Sequence, residues 1–438
     1  MRRIPDWTSL DAAARHRWRS SARERASALN TTLNAFVGIA PAKTRHGRTL
    51  DGMPYAAKDM LRTPEHRPSG GLSGAVDLGI VGNSDLLDRL DEAGADRIGF
   101  TQMTELAYEP SGFNASRGRV KNPWSLDHVP GGSSSGSAAA VASGAVAVAL
   151  GSDTGGSLRI PAHCCGVTAW KPTYGLISTR GSMPLAPSLD TIGILARSAA
   201  DLLPIVATLA DLLPSQPVRS VVVLHDVTAL CAPDIAKACM DLAAMLSDSG
   251  ITIEQRDALP VIEAIDAHAL TIMFAESARV HRARIDDPTV APVLRRRLAK
   301  GLEVADYTLA ASIEARPRLI ADFEDRVLAG ADVVLLPVMA IPTPTAAECN
   351  PESARFSPKT LYAMSRFTRF VNLLGFPAVA LPAGFDEGGL PVAMQIVGRP
   401  GSDRALLDLV RHVQGKTEWH GRVPTAVADL LPQLETAS

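Results

Sequence analysis

Residues 130–173 read PGGSSSGSAAAVASGAVAVALGSDTGGSLRIPAHCCGVTAWKPT. Gly, Ser and Ala dominate the stretch, yet its pattern is not that of a flexible linker, which carries no apolar block. A serine cluster opens it, and a small-residue apolar run, Ala138 to Leu150, follows. A second Gly-Gly-Ser then leads into an apolar tail containing Pro161. Small side chains let backbones approach closely, and glycine reaches conformations that other residues resist. The stretch is therefore expected to be a buried core that fixes two serines in place.

Working outward, the flanks alternate between helical and extended patterns. Residues 8–29 carry an apolar stripe (Leu10, Ala13, Trp18, Ala22) behind Thr8 or Ser9 as cap, and Asn34 to Ile39 follows as a strand. Leu50 to Asp59 reads as a turn entering a short apolar strand that ends at Lys58. Residues 84–95 form an amphipathic helix capped by Ser84 and stopped at Gly94, and Arg97 to Phe100 is the next strand. Residues 101–130 read as loop, as does the segment from Lys171 to Asp190, with a helix near Ser198 to Leu213. Beyond the punctuation at Pro214 to Pro217, Ser220 to His225 and Ile251 to Glu254 read as strands around a helix from Ile235 to Ser249. Pro260 to Lys300 is helical with breaks near Pro288 and Pro292, and Arg295 to Arg297 reads as a solvated face. Ala305 to Leu328 is helical with a kink or restart at Pro317. Ala331 to Pro337 reads as a buried parallel strand, followed by strands Ala378 to Leu381 and Val392 to Val397 and a helix from Ser402 to Val413. Such alternation predicts an α/β fold.

Composition narrows the classes. The 438 residues are 46% hydrophobic and 21% charged, with a net charge of −2, so no basic field attracts nucleic acid. Five cysteines without CxxC spacing suggest neither a disulfide framework nor a zinc site, and a reducing, cytoplasmic setting is expected. The first residues lack the apolar core of a secretory signal, and the longest apolar run is too short to span a bilayer.

HExxH, P-loop and GxGxxG motifs are missing. Gly132-Ser-Ser-Ser-Gly136 matches GxSxG, but a loop rather than a strand precedes it, against a hydrolase elbow at Ser134. The ten histidines are dispersed, and His163, near the centre, reads as structural. Serine and lysine remain. Gly151-Ser-Asp-Thr-Gly-Gly-Ser157 ends in a serine after two glycines, where successive backbone N–H groups can converge on one space. A serine hydroxyl needs a base, and lysine is neutral near pH 7 only when buried. Lys58, in YAAKDM, has such a context, provided that Asp59 points to the opposite side of the strand.

With these residues in view, the chain resembles the amidase signature family. The matching motifs are Pro130 to Ala140, Gly151 to Pro161 and Cys165 to Thr173, with flanking matches at Asp51 to Lys58, Asn122 to Trp124 and Gly389 to Gly398. The resemblance runs over roughly residues 30–410. It implies an α/β/α fold, a mixed twisted central sheet covered by helices, as one domain over residues 1–438. Within it, 1–50 would be an N-terminal helical segment, 51–213 the signature core, and 218–438 the rest of the sheet and the pocket loops. It also implies a Ser–cis-Ser–Lys triad. By motif position the nucleophile is Ser157, the bridging serine Ser133 and the base Lys58, with the oxyanion hole at the N–H groups of Thr154, Gly155, Gly156 and Ser157. Ser134 and Ser135 rival Ser133, and a glycine usual in the family is Ser135 here. Ser137 would cap the Ala-rich helix, Asp153 and Arg159 would brace the loop, and Lys171 would be structural. Tyr55 and Ala57, and His163-Cys164, depart from the family pattern close enough to alter a pocket.

The activity implied is hydrolysis of a small-molecule carboxamide through an acyl-enzyme, without cofactor or metal. Nucleic acid and membrane are not expected as partners, and a homodimer is an assembly the family allows. Pocket loops are expected at 101–128, 180–190 and 340–370, with Phe356, Tyr362, Met364, Phe367 and Phe370 either contacting substrate or packing the core. A carboxylated urea or biuret-type substrate would call for an arginine, with Arg117, Arg180 and Arg366 as candidates. The other readings are the glutaminase component of a tRNA-dependent amidotransferase, an esterase, and a non-catalytic binding protein. Modest length and the lack of a basic docking surface lean against the glutaminase component.

Overall fold

The computed structural model describes residues 3–41, 49–74, 77–212, 214 and 216–430. Leu213 and Ser215, within the expected helix end and the Pro214–Pro217 punctuation, lie outside the described residues. Eleven strands form one sheet: β1 (Phe36–Ile39), β2 (Pro54–Lys58), β3 (Asp96–Thr101), β4 (Val148–Asp153), β5 (Thr168–Lys171), β6 (Thr191–Ala196), β7 (Ser220–Leu224), β8 (Thr252–Arg256), β9 (Val333–Pro337), β10 (Ala378–Phe385) and β11 (Pro391–Gly398). Their order is β1-β3-β2-β4-β6-β5-β10-β11-β9-β7-β8. The sheet is mixed, as expected. β2 runs parallel to β3 and β4, and β7 parallel to β8 and β9, while the pairs between these groups are antiparallel.

Burial on both faces explains why these strands read as continuous apolar runs. Val221, Val223, Val333 and Leu335 enter one core, and Val222, Leu224, Val334 and Leu336 the other. Helices cover both faces, among them Ser135–Ala142, whose residues are all buried and whose alanines let it lie close to the sheet. Gly136 shows how close: a Cβ there would meet the Ala35 carbonyl oxygen at 2.3 Å and that of Gln102 at 2.5 Å.

Several boundaries differ from the expectations. The N-terminal helix is two helices, Ala12–Ser20 and Ala22–Leu33, and its cap is Asp11, whose side chain accepts the Ala14 N–H at 2.7 Å. β9 is parallel to β7 but antiparallel to β11. β4 continues the small-residue run into Ser152 and Asp153, and β5 and β6 flank the Lys171–Asp190 turn and loop, in segments to which the sequence assigned no element. These strands were obscured by glycine and polar residues that a two-sided burial tolerates when every polar group is paired. Pro292 opens the helix Pro292–Gly301, and Pro317 sits in the first turn of Arg316–Phe323, where its missing N–H costs nothing.

Candidate active site

Lys58 ends β2, a strand buried at every position, and the side chain is itself fully buried. Its Nζ reaches three hydroxyl oxygens: Ser133 at 2.7 Å, Ser152 at 2.7 Å and Ser134 at 3.1 Å. Ser152 comes from the neighbouring strand β4, which pairs with β2 in parallel. Ser133 and Ser134 come from the loop that opens the Ala-rich helix, and the Gly132–Ser133 peptide is cis. Burial lowers the Lys58 pKa from 10.5 to about 7, against the charges of Asp153 and Asp190, which pull it upward. Asp59 turns away, as strand alternation requires. Its carboxylate accepts from the Ser69 hydroxyl and meets His66 Nε2 at 2.7 Å.

Hydrogen counting separates the neighbouring serines. The Ser134 hydroxyl donates to the Ser152 carbonyl at 3.2 Å and accepts from the Ser152 N–H at 3.3 Å and from Lys58. Its single proton is thus committed to the backbone. Ser135 Oγ is buried without a hydrogen-bond partner among the described residues. Ser137, expected as a cap, instead donates to the Leu150 carbonyl at 2.9 Å and bonds Thr101 Oγ1 at 2.7 Å, two residues inside the helix. Among the described residues Ser133 Oγ and Ser152 Oγ have Lys58 as their only hydrogen-bond partner.

Ser157 follows the Gly155-Gly156 turn, half-buried, and its carbonyl accepts the Ser134 N–H at 3.3 Å. Asp153 holds this turn. Its Oδ1 accepts the Gly156 N–H at 2.8 Å and Oδ2 the Leu158 N–H at 3.2 Å. Arg159 returns to the same carboxylate at 3.0 and 3.1 Å and continues to Gln395, Asn372 and the Thr368 carbonyl. Burial alone would raise the Asp153 pKa, but the Arg159 charge and hydrogen bonds, with Lys171 and Asn372, bring it to about 2. The expected bracing by Asp153 and Arg159 is present, and Gln395, Asn372 and Thr368 complete it. Gln395 lies within the matched segment 389–398, whereas nothing in the sequence singled out Asn372 or Thr368.

The oxyanion expectation needs one correction. The Gly156 N–H is occupied by Asp153, so it is not a free donor. Among the described residues the N–H groups of Gly155 and Ser157 carry no hydrogen bond, and the Thr154 hydroxyl donates to Asp190 at 2.6 Å. Gly156 has φ +119°, and a Cβ there would lie 2.2 Å from Thr368 Oγ1, so only glycine fits.

Thr154, Gly155 and Ser157 open into a cavity of about 490 Å³. The expected loops contribute Tyr108, Pro110, Leu185 and the residues around Leu361. The long helix Leu259–Val280 and the helix Pro292–Gly301 form further walls that the sequence did not announce. Of the aromatic candidates, Tyr362 lines the cavity, while Phe367 and Phe370 are packed in the core and Met364 is fully buried. Arg117, Arg180 and Arg366 do not line it; Arg369 and Arg297 do. Tyr55 donates to Asp91 at 2.8 Å, and His163, lowered to about 4 by burial, accepts the Ala393 N–H, so neither departure from the family pattern reaches the cavity wall. Lys171 is buried and donates to the Pro172 carbonyl at 2.8 Å. Among the described residues no cluster of side chains suits a metal ion, and no helix is long and apolar enough to cross a membrane.

This geometry can be set beside known proteins. A family model described as Amidase matches residues 12–407. The A subunit of the Glutamyl-tRNA(Gln) amidotransferase from Nitrosococcus oceani is 31% identical over 458 aligned positions, covering 92% of this chain and 94% of that protein. A solved amidase, 29% identical, superimposes with a TM-score of 0.81 over 91% of this chain and 95% of its own. The corresponding Glutamyl-tRNA(Gln) amidotransferase protein of Thermotoga maritima, 26% identical, gives a TM-score of 0.81 over 95% and 96%.

Proposed function

The chain belongs to the amidase family and is an enzyme of amide carbon–nitrogen bonds, and on that premise we propose that Ser157 is its nucleophile, activated by Lys58 through Ser133. The observation that carries this reading is a fully buried lysine, its pKa lowered to about 7, bonded at 2.7 Å to the hydroxyl of Ser133, whose neighbour Ser134 donates its N–H to the carbonyl of Ser157, a residue that lines the cavity. A neutral amine there can accept a proton at neutral pH. As Ser157 Oγ bonds to the amide carbon, its proton passes to Ser133 Oγ, whose own proton passes to Lys58 Nζ. The charge gathering on the carbonyl oxygen is met by the Gly155 and Ser157 N–H groups. Collapse breaks the C–N bond, and the proton returns through Ser133 to the leaving nitrogen. Water then repeats the cycle on the acyl-enzyme.

The names of the relatives favour the glutaminase component over a free-standing amidase of small molecules. At 31% identity and 92% coverage, similarity to one component of an amidotransferase supports glutamine as the amide and a partner protein as the destination of the ammonia. The length and charge arguments against it are outweighed by that coverage.

Intact-protein mass spectrometry after fluorophosphonate treatment tests the triad. One adduct is expected on the wild type, absent from Ser157→Ala and slow to form on Lys58→Ala. An adduct retained in Ser157→Ala would sink the nucleophile assignment. Ammonia release from glutamine against a panel of alkyl and aryl amides, together with pull-down of partner proteins, separates the two substrate readings.

A further inference from the structure

We propose that Thr368 is a positioning residue for the reaction at Ser157: its hydroxyl fixes the direction of the Gly155–Gly156 peptide bond, and through it the two N–H groups that face the carbonyl oxygen of the amide. The inference rests on Ser157 as the nucleophile and adds a residue that lies outside the matched motifs. A trans peptide points its carbonyl and its N–H in opposite directions, so holding both ends sets its plane. The Gly155–Gly156 peptide is held in this way. The Thr368 hydroxyl donates to the Gly155 carbonyl at 2.6 Å, and the Gly156 N–H donates to Asp153 Oδ1 at 2.8 Å. The next peptide is held at one end, where the Gly156 carbonyl accepts the Ile160 N–H at 2.8 Å. Its other end is the Ser157 N–H, which like the Gly155 N–H has no hydrogen bond among the described residues. Two adjacent glycines offer little steric resistance to rotation of the bond between them, so its direction depends on these partners.

Thr368 is itself fixed. It is fully buried, and its single hydroxyl proton has two carbonyls in reach, Gly155 at 2.6 Å and Ser365 at 3.1 Å. The shorter contact takes the proton. The Thr368 carbonyl accepts Arg159 Nη2 at 3.0 Å, and Arg159 also holds the Asp153 carboxylate at 3.0 and 3.1 Å. One arginine therefore anchors the donor at the carbonyl end and the acceptor at the N–H end of the same peptide. The following residue, Arg369, donates to Asp266 through two hydrogen bonds of 2.8 Å, and its Cγ lies 3.1 Å from where a Gly155 Cβ would stand. Among the described residues no other group donates to the Gly155 carbonyl. Gly155 lines the cavity, so without the hydroxyl its carbonyl turns toward cavity water and rotates the N–H groups beside it.

The test is the rate of fluorophosphonate labelling well above pH 7, because the P=O oxygen of the probe takes the place of the amide oxygen. Two pairs of proteins differ at this position in the hydroxyl with little change of shape: wild type against Thr368→Val, and Thr368→Ser against Thr368→Ala. In each pair the member without the hydroxyl should label about ten- to hundredfold more slowly. The pH midpoint should stay near 7, and Thr368→Ser should remain within about threefold of the wild type. A packing role gives the opposite order, since valine keeps the shape of threonine and serine does not. Thr368→Val near wild type with Thr368→Ser slow would therefore overturn the proposal. Equal rates for Thr368→Ser and Thr368→Ala would do the same, and that pair remains readable if Thr368→Val does not fold. A midpoint that moves with the hydroxyl would also overturn it, because the effect would then run through Lys58. Absence of labelling on the wild type, or labelling that survives Ser157→Ala, would end the reading of Ser157 and this proposal with it. Labelling that is lost in Ser157→Ala but indifferent to the hydroxyl removes Thr368 alone.

Discussion

The substitution Ser152→Ala tests the environment of the proposed base most directly. A lysine ammonium has three N–H donors, and Lys58 meets three hydroxyl oxygens, at 2.7, 2.7 and 3.1 Å. The neutral amine has two N–H groups and a lone pair. It keeps Ser134 and Ser152 as acceptors and turns the lone pair to Ser133, the one geometry in which it can take a proton from the relay. The fall of the pKa from 10.5 to about 7 corresponds to on the order of 5 kcal/mol in favour of the neutral form, and burial drives it. Removing Ser152 Oγ deletes one acceptor from both forms. A hydrogen bond from a charged donor contributes about 1.5–3 kcal/mol, and one from a neutral donor about 0.5–1.5 kcal/mol. The charged form loses more, by roughly 1–1.5 kcal/mol, so the pKa falls by about one pH unit.

The assay is the second-order rate of fluorophosphonate labelling against pH, which needs no knowledge of the substrate. With the neutral amine as the proposed active form, the wild-type rate should rise with pH through a midpoint near 7 and then level off. In Ser152→Ala the midpoint should move down by about one pH unit. A midpoint that stays or rises refutes the hydrogen counting, and a wild-type profile without inflection near 7 removes Lys58 as the base.

Lys171 shares a pKa lowered to about 7, by burial first and then by the Arg159 charge. Between about pH 7 and 10.5 its unfolded form holds a proton that the folded form lacks, so stability rises with pH across that window. Lys171→Met should therefore flatten the dependence of urea-unfolding free energy by about 1.4 kcal/mol per pH unit, with the labelling midpoint still near 7; a midpoint that moves would show that Lys171 acts on the base. Arg159→Ala leaves the Asp153 carboxylate buried without its cation and should cost about 3–5 kcal/mol in urea denaturation; a loss below about 1 kcal/mol would mean that Asn372 and the Gly156 and Leu158 N–H groups suffice. Gly156→Ala forces a Cβ against Thr368 and should slow labelling about a hundredfold, whereas a rate near wild type would show that the turn yields without misplacing Ser157.

The legibility of this chain varied with the kind of interaction. Lys58, Ser133 and Ser157 were nameable because long motifs carried them, and β2 was readable as an apolar strand with its lysine at the end. Ser152 stood in the same motif, yet its contact with Lys58 depends on the parallel pairing of β2 with β4, which no local pattern encodes. The commitment of the Gly156 N–H to Asp153 is likewise a matter of turn geometry, invisible in a string that only shows two glycines. Arg297 was misread for a related reason. In a run of three arginines every position resembles a solvated face, yet Arg295 and Arg297 are partly buried, and the packing of Pro292–Gly301 against Leu259–Val280 puts Arg297 in the cavity lining. For Phe367 and Phe370 the sequence left substrate contact and core packing open, and the structure places both in the core.

What joins the proposed base to the proposed nucleophile is two consecutive residues of β4. Successive side chains of a strand point to opposite faces. Ser152 goes to one side and meets Lys58, while Asp153 goes to the other and gathers the Gly156 N–H, the Leu158 N–H and Arg159. The register of β4 against β2 thus sets the lysine environment and the shape of the Ser157 turn together. A one-residue slip would exchange the two faces, placing a carboxylate beside Lys58 and raising its pKa, and would release the turn. That shared dependence gives a reason for β4 to be buried at every position and paired on both sides, to β2 in parallel and to β6 across all six residues from Val148 to Asp153. A site that needs a neutral lysine and a fixed serine is held most securely where one strand cannot shift without disturbing both.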